Sequence, residues 1–212
     1  MRVGSLVAMT CETDFVARTS DFGKLRYDIS ELVAEKNPAS PEALATLPMK
    51  GGTNVGDTLK LLVGKIGENI RIPRFVRIEN MKGRIGSYVH HDGKKAALVS
   101  VTTDVDEDKV GEPLKELCQH IVVLNPVAAN RSQVSESAVE RERAIYLEEV
   151  KSKPPEMQEQ IVAGKLEKFY ADQVLPEQKW MKDDTKTVQK ILEEKLGKGA
   201  KIEAFVRIQI GK

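Results

Sequence analysis

His90, His91 and Asp92 stand side by side, and these are residue types that ligate transition metals. Adjacent side chains on a strand point to opposite faces, so on a strand the two rings do not easily grip one ion, and the pair reads first as turn histidines. Cys11 and Cys118, the only cysteines, lie far apart in the chain, which supports neither a disulfide framework nor the paired short spacings of a zinc site. Several Gly-Lys pairs occur, including Gly23-Lys24, Gly64-Lys65, Gly93-Lys94 and Gly164-Lys165, but none has a glycine five positions earlier and Ser or Thr after the lysine, so there is no P-loop. No G-x-S-x-G elbow is present, and neither cysteine has a nearby histidine to activate it. The expectation is therefore a protein that is not an enzyme and takes no cofactor and no metal. Its chemistry should be that of a binding surface.

One loop suits that role. Cys11-Glu12-Thr13-Asp14-Phe15-Val16-Ala17 follows an apolar run with strand character and precedes a helix-like stripe, the kind of rigidly framed connection on which binding residues are mounted. An aromatic side chain there is either a surface anchor or a core plug, and aromatic anchors are typical hot spots.

The elements that must position this loop emerge from an internal repeat. A constant displacement lays Leu6, Val7 and Thr10 on Leu98, Val99 and Thr102, then Asp14, Leu25, Ile29 and Leu32 on Asp106, Leu117, Ile121 and Leu124. A second, larger displacement lays Lys60, Leu62, Lys65, Gly67, Ile72 and Phe75-Val76-Arg77-Ile78 on Lys190, Leu192, Lys195, Gly197, Ile202 and Phe205-Val206-Arg207-Ile208. The second copy thus carries an insertion between its halves. Within the repeat, Phe15 falls on Glu107, which argues against an obligatory core position.

Each copy reads as strand, helix, connection, helix, strand. Phe22, Leu25, Ile29, Leu32 and Val33 keep a helical stripe, and Leu114, Leu117, Cys118, Ile121 and Val122 repeat it. Ser20 or Asp21 is expected to cap the first of these helices and Pro113 to occupy the first turn of the second, with Asn37-Pro38 and Asn125-Pro126 as stops. The back-half helices are expected over Asp57–Ile66 and Thr185–Leu196, ending at Gly67 and Gly197 with left-handed caps. Asp92-Gly93 signals a two-residue hairpin between Ile85–His91 and Lys94–Thr102. The matching first arm of copy 1 would lie upstream of Met1, leaving Val3–Thr10 with an open edge and pointing to a longer natural sequence. The insert, Ser135 to about Asp172, reads as two helices broken at Pro154-Pro155. Ala138, Ile145 and Leu147, then Met157, Ile161, Leu166 and Phe169, form thin stripes suited either to a projecting helical hairpin or to a satellite of the main core.

Composition sets the outer bounds. The chain has 212 residues, 41% hydrophobic and 31% charged, enough apolar content for one or two compact domains. Lys and Arg total 33 against 32 Asp and Glu, a net charge of +1, which gives no blanket attraction to phosphate and argues against direct nucleic-acid binding. No apolar run approaches the roughly 20 residues of a membrane span, and the first residues carry no signal or transit pattern.

With these residues in view, the sequence resembles the elongation factor Ts family, the guanine-nucleotide exchange factors for elongation factor Tu. The resemblance runs through CETDFVAR at Cys11–Arg18, KIGENI at Lys65–Ile70, GSYVH at Gly86–His90, KPPEMQEQIVAGKLEKF at Lys153–Phe169, and the closing DTKTV and FVRIQIG. It implies an α+β fold: two related subdomains of antiparallel sheet plus helices, an inserted coiled-coil hairpin, and a short C-terminal module. The expected division is 1–80 for the subdomain with the TDFV motif, 81–134 for the second subdomain, 135–172 for the hairpin, and 173–212 for a module returning a strand to the second subdomain.

The resemblance also implies a partner and a site. Asp14 and Phe15 match the Asp-Phe that reaches the partner GTPase, the Phe wedging between helices beside its magnesium site, with Thr13 and Val16 as motif neighbours. Ile66 and Gly67 match a second contact and His90 a third. On the residues alone, Ile66 and Gly67 read equally as an apolar helix end with its cap, and His90 as a hairpin residue. The family's small N-terminal helical domain has no counterpart here, so a partner that binds elongation factor Tu without promoting exchange stays open. So does a larger assembly with it, and the compartment is bacterial cytoplasm or an organelle. Trp180 replaces the family's usual Pro-Phe or Pro-Tyr.

Overall fold

The computed structural model describes residues 1–211. The chain is α+β, and four layers stack as helix, sheet, sheet, helix. Strand β1 (Val3–Thr10) pairs antiparallel with β2 (Arg71–Glu79), from Val3 opposite Glu79 to Thr10 opposite Arg71, with one irregularity between Ala8 and Thr10. A second sheet has β4 (Lys95–Thr102) between β3 (Gly83–Val89) and β7 (Lys201–Gln209), all antiparallel.

Period-two alternation decides what each strand buries. Leu6 and Ala8 of β1, with Val76 and Ile78 of β2, face Ile85, Ala96, Leu98, Val206 and Ile208 of the second sheet, so the two sheets pack face to face. Gly4 belongs to this seam: a Cβ there would sit 2.7 Å from Ile85 Cγ2 and 2.9 Å from Leu98 Cδ1. The opposite face of β1, with Val7 and Met9, meets helix α2 (Ser20–Lys36) through Phe22, Leu25, Ile29 and Val33. Ala97, Val99 and Val101 of β4 meet helix α5 (Glu107–Leu124) through Leu114, Leu117, Cys118 and Ile121. Buried on both faces, β4 reads as a nearly continuous apolar run.

Helix ends follow local chemistry, in places one step away from expectation. Thr19 rather than Ser20 or Asp21 caps α2, its hydroxyl accepting the Phe22 N–H at 3.3 Å, because Thr19 is the extended residue at the junction. Helix α5 begins at Glu107, with Glu107 and Asp108 complementing the helix dipole in its first turn, so Pro113 lies inside the helix rather than at its start. Asn37 (φ 48°) and Asn125 (φ 51°) end α2 and α5 in the left-handed conformation, each followed by proline. A short helix α3 (Pro41–Thr46) occupies the connection in the first half. Helix α4 (Val55–Ile66) starts two residues earlier than the apolar pattern suggests, because Asn54 Oδ1 accepts the Asp57 N–H at 2.7 Å.

Helices α6 (Glu136–Val150) and α7 (Pro155–Gln173) form the insert, with Ser135 capping the first and Pro155 opening the second. Helix α7 folds back along α6, and Lys165 pairs with Glu149. The buried residues along this pair are Val150 and Val162, whereas Ile145, Leu147 and Met157 of the expected stripes stay exposed. At the base, Phe169 and Tyr170 pack on Ala128, Val134 and Val174. Arg131 lies 4.6 Å over the Tyr170 ring and binds the carboxylates of both Glu167 and Glu177 at 2.7 Å.

The chain then makes a small hairpin, β5 (Lys179–Trp180) and β6 (Asp183–Thr187), before helix α8 (Val188–Leu196), which Thr187 caps. Thr185 is therefore a strand residue, and Gly197 (φ 88°, ψ 155°) ends α8 outside the left-handed helical region. Trp180 is buried and stacks on the buried His120, ring centroids 5.0 Å apart. His120 Nδ1 accepts the Met181 N–H at 3.3 Å, so Nε2 carries the proton and donates to Gln178 Oε1 at 2.9 Å. Burial holds the His120 pKa below its ordinary value.

Candidate functional site

Phe15 is 87% exposed and fills no part of the core. It sits in a single helical turn, α1 (Asp14–Ala17), immediately after β1 and the loop Cys11–Thr13. A four-residue helix has too few internal hydrogen bonds to hold itself. Three external restraints compensate. Val16 is buried against the α2 layer and pins the turn from below. Thr13 caps it, its hydroxyl accepting the Val16 N–H at 3.4 Å. The third restraint is Glu68, whose carboxylate accepts the Glu12 N–H at 3.1 Å and the Thr13 N–H at 2.9 Å on one oxygen, and the Thr13 hydroxyl at 2.5 Å on the other.

Glu68 arrives there because α4 stops at Ile66, two residues earlier. Gly67 takes φ 80° and ψ 7°, a left-handed cap that suits glycine, and its N–H binds the Val63 carbonyl at 2.8 Å. The chain reverses, and Glu68 and Asn69 meet the loop reciprocally, since Glu12 Oε1 accepts the Asn69 N–H at 3.3 Å. Hydrogen bonds from Thr13, its hydroxyl foremost, hold the Glu68 carboxyl below the usual range. Ile66 is half-buried against the α2 layer, and Gly67 is exposed. The segment with Ile66 and Gly67 is thus braced to the segment with Asp14 and Phe15.

His90 approaches from the other sheet. Beyond β3, His90 N donates to the Lys95 carbonyl at 2.8 Å, and Gly93 (φ 68°) closes a turn longer than the two residues expected. From that turn Lys94 Nζ comes within 3.3 Å of Asp14 Oδ1. This ion pair links the hairpin end that carries His90 to the turn that carries Phe15. His90 itself is half-buried, its Nδ1 3.2 Å from the Tyr88 hydroxyl. The rings of His90 and His91 lie 4.1 Å apart, so the opposite-face argument fails, because both residues fall past the end of the strand. Among the described residues, no group of three or more His, Cys, Asp or Glu side chains is arranged to hold a metal ion.

Four of the five expected residues, Asp14, Phe15, Ile66 and Gly67, are therefore joined through hydrogen bonds between their segments, and His90 through the Lys94–Asp14 pair. Sequence reasoning missed Glu68 and Lys94 as members of this surface. Glu68 lies inside KIGENI, and its signal was a carboxylate directly after a helix-ending glycine. Cys11 lies beside the same turn, its thiol donating to the Thr13 carbonyl at 3.2 Å, with burial and then the nearby Glu68 raising its pKa. A cleft of about 310 Å³ opens between β1, α2 and the β3–β4 turn, lined by Ser5, Tyr27, Ser30, Val89 and Lys94.

A family model described as Elongation factor TS matches residues 12–212. The Elongation factor Ts of Azoarcus sp. (strain BH72) is 40% identical over 212 residues, covering 99% of this chain and 68% of the relative. That of Prosthecochloris aestuarii is 34% identical over 216 residues, 98% of this chain and 75% of the relative. That of Clostridium botulinum (strain Alaska E43 / Type E3) is 32% identical over 213 residues, 98% of this chain and 70% of the relative.

The chain belongs to the elongation factor Ts family.

The family match takes in the braced Phe15 turn, Gly67 with Glu68, and His90 together. Among the described residues, no helix is long and apolar enough to cross a membrane.

Proposed function

We propose that this chain binds the GTPase elongation factor Tu and accelerates its release of GDP. Family membership supports the partner, and the observation that carries the reading is Phe15, a large apolar ring 87% exposed on a turn that three restraints hold in place. An exchange factor needs no acid, base or nucleophile of its own. It stabilises a partner conformation that binds nucleotide poorly. Burying one Phe side chain is worth about 1.5–3 kcal/mol, enough to offset part of the cost of displacing a phosphate-binding loop or a magnesium ligand. Asp14 is available for the same encounter, because its exposed pair with Lys94 costs little to break. Ile66, Gly67 and His90 flank the wedge as further contacts. Reciprocity follows: if the chain weakens GDP binding, GDP weakens the chain's binding by the same factor.

We read the architecture as two related halves, 1–80 and 81–134, with 135–172 as a coiled-coil hairpin and 173–212 as the module that returns β7. Arg77 Nε binds the Ala34 carbonyl at 2.8 Å and Arg207 Nε the Val122 carbonyl at 3.2 Å, so the arginine of each FVRI run ties its strand to the last turn of a helix in the corresponding place, α2 for Arg77 and α5 for Arg207. The paired asparagine caps Asn37 and Asn125 support the same reading.

The test is release of a fluorescent GDP analogue from elongation factor Tu, chased with excess unlabelled GDP, at rising concentrations of this chain. Saturable acceleration, lost in Phe15→Ala, is the expected result. Binding without acceleration would replace the exchange reading with that of a holding partner.

A further inference from the structure

Among the described residues, Glu68 is the one side chain that accepts hydrogen bonds from both the backbone and the side chain of the turn in front of Phe15. We propose that Glu68 is the positioning residue of the Phe15 turn: its carboxylate fixes the loop Glu12–Thr13 in the geometry that presents Phe15 to the partner GTPase. The proposal rests on the reading of Phe15 as the residue that meets that partner.

The geometry separates this role from ordinary packing. The carboxylate takes two backbone N–H groups on Oε2 and the Thr13 hydroxyl on Oε1, filling donors that β1 has just released and that no helix has yet engaged. The Thr13 hydroxyl has one proton. By donating it to Glu68, the hydroxyl turns a lone pair toward the Val16 N–H and becomes the cap of α1. Glu68 thus sets both the approach to the turn and the orientation of its cap. Its own attachment is rigid, because it follows the Gly67 cap and its neighbour Asn69 bonds back to Glu12. The contacts are exposed and lie outside the apolar core, so removing them loosens the presentation of Phe15 without opening the layers beneath. Charge-assisted hydrogen bonds to backbone N–H groups are the stronger kind, and losing this set is expected to weaken partner binding about tenfold or more.

The test is a double-mutant cycle on affinity for elongation factor Tu, with Glu68→Ala, Phe15→Ala and the pair, each at matched thermal midpoint. Amide hydrogen exchange of Glu12 and Thr13 is read in the free protein. The expected result is faster exchange at those amides and about tenfold weaker binding for Glu68→Ala, no further loss when it is added to Phe15→Ala, and partial recovery in Glu68→Gln, which keeps one oxygen acceptor. Additive losses, or faster exchange with unchanged affinity, would overturn the proposal. If the unsubstituted chain binds the GTPase without speeding GDP release, the exchange reading fails while the cycle still decides Glu68. If it does not bind at all, both fall.

Discussion

Phe15 and His120 are opposite uses of an aromatic ring, one held out into water and one sealed inside. Because Phe15 contributes nothing to the core, Phe15→Ala should leave stability within about 0.5 kcal/mol in urea unfolding while stimulated GDP release falls, a separation that a residue holding up the fold would not show. His120 should do the reverse. Its Nδ1 is already an acceptor for Met181 N–H, so a second proton there would replace a hydrogen bond with two opposed donors inside an apolar site. Burial, above all, holds the folded-state His120 pKa below its ordinary value of 6.5. Below that value the unfolded chain binds a proton that the folded chain refuses. Stability is full above it and declines as pH falls toward the folded-state pKa. Urea midpoints measured across pH 5 to 7.5 should rise with pH, and His120→Gln should flatten that dependence; an unchanged slope in the variant would remove His120 as its source.

Helix α5 reaches β3 only because Gly86 has no side chain. A Cβ there would lie 2.4 Å from Leu114 Cβ and 3.1 Å from the Leu114 carbonyl carbon, so the helix as a whole must shift. Gly86→Ala should cost about 1–3 kcal/mol, the usual range for overpacking, as a lower denaturant midpoint at unchanged slope. At the foot of α7 the matching device is polar: Arg131→Ala should speed amide exchange along α6 and α7 with little change in the global midpoint, since its pairs with Glu167 and Glu177 lie at the surface. Much of this layer was readable beforehand. The stripes of α2 and α5 and the stops at Asn37 and Asn125 follow from local chemistry that tertiary packing had no reason to override. The misreadings share a cause. Thr19, Asn54 and Glu107 extend their helices through capping or first-turn charge, which an apolar stripe does not record. The helix pair buries Val150 and Val162 and half-buries Ala138, Ile161, Leu166 and Phe169 of the expected stripes, while Ile145, Leu147 and Met157 face outward. At the site, the exposure of Phe15 was foreseeable from its glutamate counterpart in the repeat. The Glu68 brace joins segments more than fifty residues apart, as does the Lys94–Asp14 ion pair, and no periodicity announces such contacts.

The two sheets are closed in different ways, and this governs how the molecule behaves as a unit. The β1–β2 pair is complete by Glu79, but the second sheet waits for β7, which pairs with β4 along its full length after the excursion through α6, α7 and α8. Limited proteolysis in the turn Lys151–Lys153 between α6 and α7 should therefore cut the chain without parting it. The fragments should co-elute until denaturant is added, because β7, α8 and the β5–β6 hairpin all sit in one core with β4 and α5. Fragments that separate in buffer would show that this core does not hold the two pieces. The same topology imposes an order on the chain as it leaves a ribosome. The first sheet and its helix can close early, whereas Val99, Val101 and Leu117 remain half-covered until residues 201–209 emerge, a wait that spans the synthesis of four helices. During that interval β4, the most buried strand among the described residues once folding is complete, is an open edge, and a slow stretch of translation late in the message would prolong the period in which a newborn chain is most prone to join another.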